Sequence, residues 1–211
     1  DYTLRSGIQM RTTTATRAWE MAVVNGVYEL TVTVGLANAN ASHNLYVEGI
    51  QIIPAFTPSG TPAPCDLVRF QTVTVVVNVT DGLLRLHPGT TTVGTWLTRA
   101  SIKPVNLNMS FTPNPVIASK NFEDVPSTTT ANINVKSNCI NCALPALTLT
   151  KSSGTDWLSI PANATPAPVT ANNVTFVATF DGNSLPVGVN QGNIVASASG
   201  YPDLIIPVQF T

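Results

Sequence analysis

The chain has 211 residues, of which only 10% are charged, and its net charge is −1. Typical soluble domains carry about 25% charged residues, and a net charge this close to zero gives no electrostatic attraction for nucleic acid. No apolar run approaches the roughly 20 residues of a membrane-spanning helix, so we expect no nucleic-acid partner and no membrane span.

The first predicted element is a strand in DYTLRSGIQM. Tyr2, Leu4, Ile8 and Met10 fall on one side of the alternation and polar residues on the other, which is typical of a half-buried strand. An open sheet edge is a template for pairing with another chain. We therefore expect a neighbouring subunit to fill the place beside this strand.

Short alternating or β-branched runs follow, with Gly, Asn, Asp and Pro between them: VYELTVTVG, HNLYVEGIQI, VRFQTVTVVVNVT, GLLRLHP and TWLTRASI. Runs of this length and spacing predict an antiparallel sandwich or barrel. Asn25-Gly26 and Asp81-Gly82 each lie between two runs and predict tight hairpins, because both residue types tolerate positive φ.

After ASIKPVNLNMS the strand-like runs become less regular and are interrupted by Pro, so we place a domain boundary between Lys103 and Asn108. The runs NVTFVATF, GNIVASAS and LIIPVQF then restore the strand pattern, with the size and spacing of an immunoglobulin-like sandwich. The sequence therefore predicts an all-β protein of two domains, residues 1–104 and 105–211.

The first domain resembles the malectin-like jelly roll of carbohydrate-associated secreted proteins. The resemblance rests on a Trp strand, an Asn-Gly turn, a Tyr strand, a VEG strand and a late Asp-Gly turn, at Trp19, Asn25, Gly26, Tyr28, Val47, Glu48, Gly49, Asp81 and Gly82. It implies a jelly-roll β-sandwich that is short of a strand before Trp19, with Trp19 and Tyr28 in the core. It also implies sugar contacts from loop aromatics, for which Tyr46 and Phe56 are the candidates.

The second domain resembles the BACON-like immunoglobulin-like modules of extracellular carbohydrate-active and surface proteins. The matching features are the DWLS stretch from Asp156 to Ser159, the closing IPVQF, and the final-hairpin positions Leu185, Gly188, Gly192 and Gly200. The resemblance implies an immunoglobulin-like β-sandwich whose role is architectural as often as it is sugar-binding.

Catalytic patterns are missing from the sequence. His43 and His87 stand near turns without a GxSxG elbow, and we expect both to be solvated. Glu123-Asp124 fits an exposed loop better than a pair of catalytic carboxylates. We predict no enzyme activity and no cofactor, with a structural calcium held by loop carboxylates and carbonyls as the open alternative.

Three cysteines are present. Cys139 and Cys142, in CINC, lack the partners of a zinc site, so we favour a short loop disulfide, with two free thiols as the alternative. Cys65 lies in a Pro-rich loop and is either an intermolecular thiol or a buried residue.

Five N-x-Ser/Thr sequons mark candidate N-glycosylation sites, at Asn40, Asn78, Asn108, Asn163 and Asn173. A sequence this rich in Asn, Ser and Thr also produces sequons by chance. Candidate O-glycosylation sites are the clusters Thr12, Thr13, Thr14, Thr90, Thr91, Thr92, Thr128, Thr129 and Thr130. The alternative is that Thr simply suits exposed strand faces.

The neutral, hydroxyl-rich surface is weakly protected against association. We therefore predict a non-enzymatic extracellular or cell-surface structural protein, a self-assembling filament or surface-layer subunit that uses strand exchange and carries attached glycans. Its partners would be copies of itself and carbohydrate. The alternative is a glycan-binding accessory module of a larger secreted carbohydrate-active or adhesin protein.

Overall fold

The computed structural model describes residues 2–3, 8–11, 18–36, 41–58, 69–89, 94–121, 128–183 and 185–211, with the backbone alone at residues 2, 3 and 11. The strands in these ranges are β1 (Tyr2–Thr3), β2 (Ile8–Arg11), β3 (Trp19–Ala22), β4 (Gly26–Gly35), β5 (His43–Val47), β6 (Ile50–Phe56), β7 (Phe70–Val79), β8 (Leu83–His87), β9 (Gly94–Pro104), β10 (Met109–Thr112), β11 (Val116–Ala118), β12 (Thr128–Ser137), β13 (Leu147–Lys151), β14 (Leu158–Ser159), β15 (Asn163–Ala164), β16 (Asn173–Asp181), β17 (Asn190–Ser197) and β18 (Leu204–Phe210). The predicted all-β class is confirmed. Within the described ranges, no helix is long and apolar enough to cross a membrane.

The chain divides into two compact units. Unit 1 comprises Asp1–Asn106 with Cys139–Asn141, and unit 2 comprises Leu107–Asn138 with Cys142–Thr211. The predicted domains differ from these units in two respects: the second begins at residue 107 rather than 105, and three residues of the CINC loop group with unit 1.

Unit 1 is a sandwich of two sheets. In the larger sheet, β1 and β2 both pair with β9, and the order continues through β4 to β7; in the smaller sheet the order is β3, β8, β5, β6. Because β1 and β2 both pair with β9, they count as one strand position, and the larger sheet then has four positions like the smaller one. Together the two sheets make an eight-stranded jelly roll. The resemblance implied a missing strand, but the described strands fill all eight positions, so this expectation is wrong.

Both predicted hairpins of unit 1 are wrong as well. Asn25-Gly26 leads from β3 in the smaller sheet to β4 in the larger one, and Asp81-Gly82 leads from β7 back to β8 in the smaller sheet. The tight hairpin lies instead at Glu48 and Gly49, whose φ values are 47° and 79°. The run HNLYVEGIQI is therefore two strands, β5 and β6, because its Glu-Gly pair adopts the left-handed conformation that a two-residue turn requires.

The N-terminal segment pairs within its own chain. Tyr2 lies opposite Ile102 and Ile8 opposite Leu97, both on β9. This places β1 and β2 at an edge of the larger sheet, and no residue in the described ranges pairs with their other side.

Alternation explains the core of unit 1. Leu30, Val32 and Val34 on β4 are fully buried, and the threonines between them lie on the outer face. Trp19 and Tyr28 pack against this core, as the resemblance implied. Burial of one face of each sheet fixes the register, since a slip of one residue would expose the apolar set.

Unit 2 has the strand distribution of an immunoglobulin-like sandwich. One sheet has the order β10, β12, β16, β14, and the other has the order β11, β18, β17, β13, β15. The first strand is shared between the sheets, because β10 pairs with β12 and β11 pairs in parallel with β18. This is the division between sheets that the immunoglobulin fold shows.

Three aromatic side chains form the centre of the unit 2 core. The Trp157 ring lies 6.0 Å from that of Phe180 and 6.1 Å from that of Phe210. Gly192 makes room for this cluster, since a Cβ there would lie 2.5 Å from Thr155 Cγ2 and 3.4 Å from Trp157 Cζ2. The Trp and the Gly that carry the sequence resemblance are thus packing partners.

Cys139 and Cys142 are both disulfide-bonded. The chain has three cysteines, so these two can both be bonded only if they are bonded to each other.

Within unit 1, the Asn141 carboxamide pairs with the backbone of Asn78: it accepts from the Asn78 N–H at 2.7 Å and donates to the Asn78 carbonyl at 2.8 Å. Cys65 lies outside the described residues.

Candidate functional site

Two aromatic rings stack on the outer face of the smaller sheet of unit 1. Tyr46 on β5 lies opposite His87 on β8, with ring centroids 5.2 Å apart and planes at 13°. Their neighbours Val47 and Leu86 are fully buried, so the alternation turns Tyr46 and His87 away from the core. Gln51 on β6 lies on the other side of Tyr46 and is exposed. We call Tyr46, His87 and Gln51 the aromatic patch.

The patch offers uncommitted polar groups. His87 Nδ1 lies 2.9 Å from the carbonyl of Pro88; it therefore donates this hydrogen bond, and in the neutral ring Nε2 is left as an acceptor. Within the described ranges, the Tyr46 hydroxyl and the Gln51 carboxamide make no hydrogen bond. The patch therefore combines ring surface with donors and acceptors that suit a hydroxyl-rich ligand.

Asn44 and Gly89 fix the position of Tyr46. The Gly89 N–H donates to Asn44 Oδ1 at 2.9 Å, and Asn44 is only 4% exposed. A Cβ on Gly89 would lie 2.6 Å from Asn44 Nδ2 and 2.9 Å from Tyr46 Cε2. The backbone after β8 therefore lies directly against the tyrosine ring, at a distance that only glycine permits.

Thr95 completes this buried polar network from the larger sheet. Its hydroxyl accepts from the Asn44 N–H at 3.1 Å and donates to the Asn44 carbonyl at 2.8 Å. The register of β5 shifts at this point, so the ladder to β6 skips Asn44. One buried hydroxyl thus satisfies both backbone groups of the residue at the bulge.

His43 is fully buried, which corrects the expectation of a solvated loop residue. Its Nδ1 accepts from the Trp96 N–H at 3.4 Å, so the neutral ring carries its proton on Nε2. Nε2 is buried without a hydrogen-bond partner. Burial lowers the pKa of His43, because the protonated ring would lose its hydration.

This pKa shift predicts acid sensitivity of unit 1. Below about pH 6.5, His43 is protonated in the unfolded chain but stays neutral in the folded chain. The free energy of unfolding of unit 1 therefore falls as the pH drops from about 6.5 toward the pKa of His43 in the folded state. Urea unfolding at pH 8 and pH 5.5 should show this loss in the wild type and a smaller loss in His43→Gln. Equal losses in the two proteins would contradict the assignment.

A cluster of charges borders the patch. Arg85, two residues before His87, pairs with Glu20 at 3.1 Å and with Asp81. Its backbone N–H donates to Glu48 Oε1 at 2.7 Å. The hydrogen bond from the Arg85 guanidinium lowers the pKa of Asp81, so this carboxylate is ionised at neutral pH.

A second outer-face aromatic, Trp96, lies on the larger sheet. Its neighbours Thr95 and Leu97 are fully buried, so Trp96 points away from the core, and Gln9 on β2 lies opposite it. From sequence, Trp96 was not selected, and His87 was expected only as a solvated residue near a turn. Trp96 and Leu97 are adjacent in a predicted strand, so their side chains must lie on opposite faces and one of the two must point outward. Nothing local to His87 indicated that it would meet Tyr46.

The two residues predicted to contact a glycan, Tyr46 and Phe56, lie on different faces of the smaller sheet. Tyr46 lies on the outer face, whereas Phe56 packs against the core, with its ring 5.3 Å from that of His43.

Among the candidate glycosylation sites, Asn108, Asn163 and Asn173 are exposed and Asn78 is half-buried. Thr128 and Thr130 are exposed and Thr129 is half-buried at the start of β12. Asn40, Thr12, Thr13, Thr14, Thr90, Thr91 and Thr92 lie outside the described residues.

Other sites offer less chemistry. In the described part of the chain no group of three or more His, Cys, Asp or Glu side chains is placed to hold a metal ion. Unit 2 has a groove of about 320 Å³ along β17 and β18, lined by Pro115, Ser152, Gln191, Gly192, Asn193, Pro207, Val208 and Gln209. None of these residues is acidic, basic or aromatic, so the groove offers neither acid–base chemistry nor a ring to stack on.

No known family model matches the sequence, and no curated protein matches it. Among solved structures, the chain is similar to a family 35 carbohydrate binding module from Clostridium thermocellum in its native form. The two share 15% sequence identity over 49% of this chain and 92% of the module, with a TM-score of 0.27.

Proposed function

We propose that this protein is an extracellular, non-catalytic glycan-binding module whose binding site is the aromatic patch of unit 1. The observation that carries the proposal is the Tyr46–His87 stack on an outer sheet face, with the Tyr46 hydroxyl, His87 Nε2 and the Gln51 carboxamide uncommitted beside it. Aromatic rings with a few convergent polar groups are the usual make-up of small-ligand sites.

The rings are already in place before any ligand binds. Tyr46 is held between His87 and the Gly89 backbone, and the strand that bears it is fixed by Asn44 and Thr95. A preorganised site loses less side-chain entropy on binding, so more of the contact energy remains as affinity. This order supports binding rather than a mobile surface aromatic.

Retention on insoluble polysaccharides tests the proposal. We expect the wild type to be retained by at least one polysaccharide, and Tyr46→Ala and His87→Ala to lower the affinity about 30-fold, as is typical when a central aromatic contact is removed. Trp96→Ala is the matched control, because it removes an aromatic ring from the outer face of the other sheet and should leave affinity unchanged.

Two results would contradict the proposal. One is that no polysaccharide and no sugar on a glycan array retains the wild type. The other is that Trp96→Ala abolishes retention while Tyr46→Ala does not, which would move the site to the larger sheet.

A self-assembling subunit is the second candidate function. The specific observation in its favour is the edge formed by β1 and β2, whose outer side has no strand partner in the described ranges. We infer that such an edge could accept a strand from a neighbouring copy. Light scattering of the native material would support assembly if it showed polymers, and a monodisperse monomer of about 22 kDa would exclude it.

A further inference from the structure

The charges around the aromatic patch are unbalanced. Among the described residues, the carboxylates of Glu20 and Asp81 pair with the guanidinium of Arg85, and the carboxylate of Glu48 accepts from the Arg85 backbone N–H. One positive and three negative charges leave a net charge of −2 in this cluster. The side chains of Glu20 and Asp81 are 47% and 49% exposed, so the excess charge acts at the surface where a ligand arrives.

The guanidinium of Arg85 is already hydrogen-bonded to two carboxylates. Its Nε donates to Glu20 Oε1 and its Nη1 to Asp81 Oδ2. A guanidinium recognises a ligand carboxylate best through two parallel N–H groups, and these two carboxylates already use donors on different nitrogens. Arg85, which lies two residues before His87 on β8, therefore offers little to an acidic ligand.

The cluster is close enough to act on a bound glycan. Arg85 precedes His87 by two residues on β8, which is about 7 Å along a strand. That separation is within the Debye length of roughly 8 Å at physiological ionic strength, so the field of the carboxylates reaches the patch and weakens as salt is added.

We propose that the aromatic patch accepts uncharged glycans and discriminates against carboxylate-bearing ones. This inference rests on the proposed glycan-binding function and adds the substrate class. From the Coulomb energy of a ligand carboxylate about 8 Å from two net charges, the acidic ligand should bind about fivefold more weakly at low salt.

The test uses matched polysaccharide derivatives. Hydroxyethyl and carboxymethyl derivatives of cellulose, of β-1,3-glucan and of mannan carry substituents of similar size that differ in charge. On each backbone that retains the protein, we expect the hydroxyethyl form to bind about fivefold more tightly at about 20 mM salt, with the difference nearly gone at about 0.5 M.

The double variant Glu20→Gln, Asp81→Asn tests the cause. Each amide keeps a side-chain oxygen that can accept a hydrogen bond, but the variant leaves Arg85 with one carboxylate neighbour, so the preference for the uncharged form should vanish or reverse. The matched control Glu29→Gln, Asp203→Asn removes two negative charges elsewhere and should keep the wild-type preference.

Equal or tighter binding of the carboxymethyl forms at low salt would overturn this inference, as would a preference for acidic sugars on a glycan array. A preference that persists in Glu20→Gln, Asp81→Asn would overturn it too. These failures differ from failure of the proposed function, in which no sugar binds or Tyr46→Ala binds as the wild type does.

Discussion

Replacing Phe180 with Ala will lower the free energy of unfolding of unit 2 by about 3–5 kcal/mol, the usual range for removing a large buried aromatic ring. Phe180 is fully buried on β16. Its ring centroid lies 6.0 Å from that of Trp157 and 5.7 Å from that of Phe210. The substitution therefore removes buried area and two ring contacts, and it leaves a cavity that the rigid sheets cannot close.

Hydrogen exchange measures this effect on the amides of unit 2. The matched control is Val177→Ala on the same strand, because Val177 is 46% exposed and faces outward. It should change stability by less than about 0.5 kcal/mol, as surface substitutions usually do. A loss below about 1.5 kcal/mol for Phe180→Ala would contradict the description of the three rings as the centre of the core.

Replacing Thr95 with Val will lower the free energy of unfolding of unit 1 by about 2–4 kcal/mol. Valine has the shape of threonine but no hydroxyl, so the N–H and carbonyl of Asn44 both lose their partner in a buried position. Each unsatisfied buried group costs about 1–3 kcal/mol.

Urea unfolding followed by hydrogen exchange in unit 1 gives the size of the loss. Thr95→Ser keeps the hydroxyl and should retain most of the stability. Thr72→Val is the control for the loss of an exposed hydroxyl, since Thr72 bonds Thr33 at 2.9 Å on the outer face and should cost little. If Thr95→Val and Thr72→Val behave alike, the buried network does not stabilise the bulge.

Local pattern was sufficient to predict the strands but not their partners. Alternation in VYELTVTVG indicates β4 because side-chain direction in a strand depends only on position. The turn residues at Asn25-Gly26 and Asp81-Gly82 were assigned to hairpins, yet they connect the two sheets. A turn-forming pair permits a reversal, but the burial of both apolar faces decides which sheet the next strand joins.

The candidate site depended still more on tertiary structure. Tyr46 was singled out from sequence as an aromatic, whereas its stacking partner His87 is 41 residues further along the chain and meets it only because β5 pairs with β8. His43 was expected in solvent. His43 instead shares the inner face of β5 with Leu45 and Val47, and the register shift between β5 and β6 brings Phe56 opposite it.

Glycosylation, the thiol of Cys65 and a bound calcium ion stay predictions. The disulfide between Cys139 and Cys142 agrees with the interpretation favoured from sequence, and intact mass of the native protein would measure it together with any attached sugar. A mass equal to that of the unmodified chain would show that no glycans are attached.

If unit 1 binds an uncharged glycan at the aromatic patch, the bound sugar must perturb the residues of that patch. Titration of isotope-labelled protein with the neutral polysaccharide fragments that retain it, followed residue by residue in NMR spectra, tests this directly. We expect shift changes concentrated at the amides of Tyr46, Gln51, His87 and Gly89, and their loss in Tyr46→Ala. Changes concentrated around Trp96 on the larger sheet, or along the β17–β18 groove of unit 2, would contradict it.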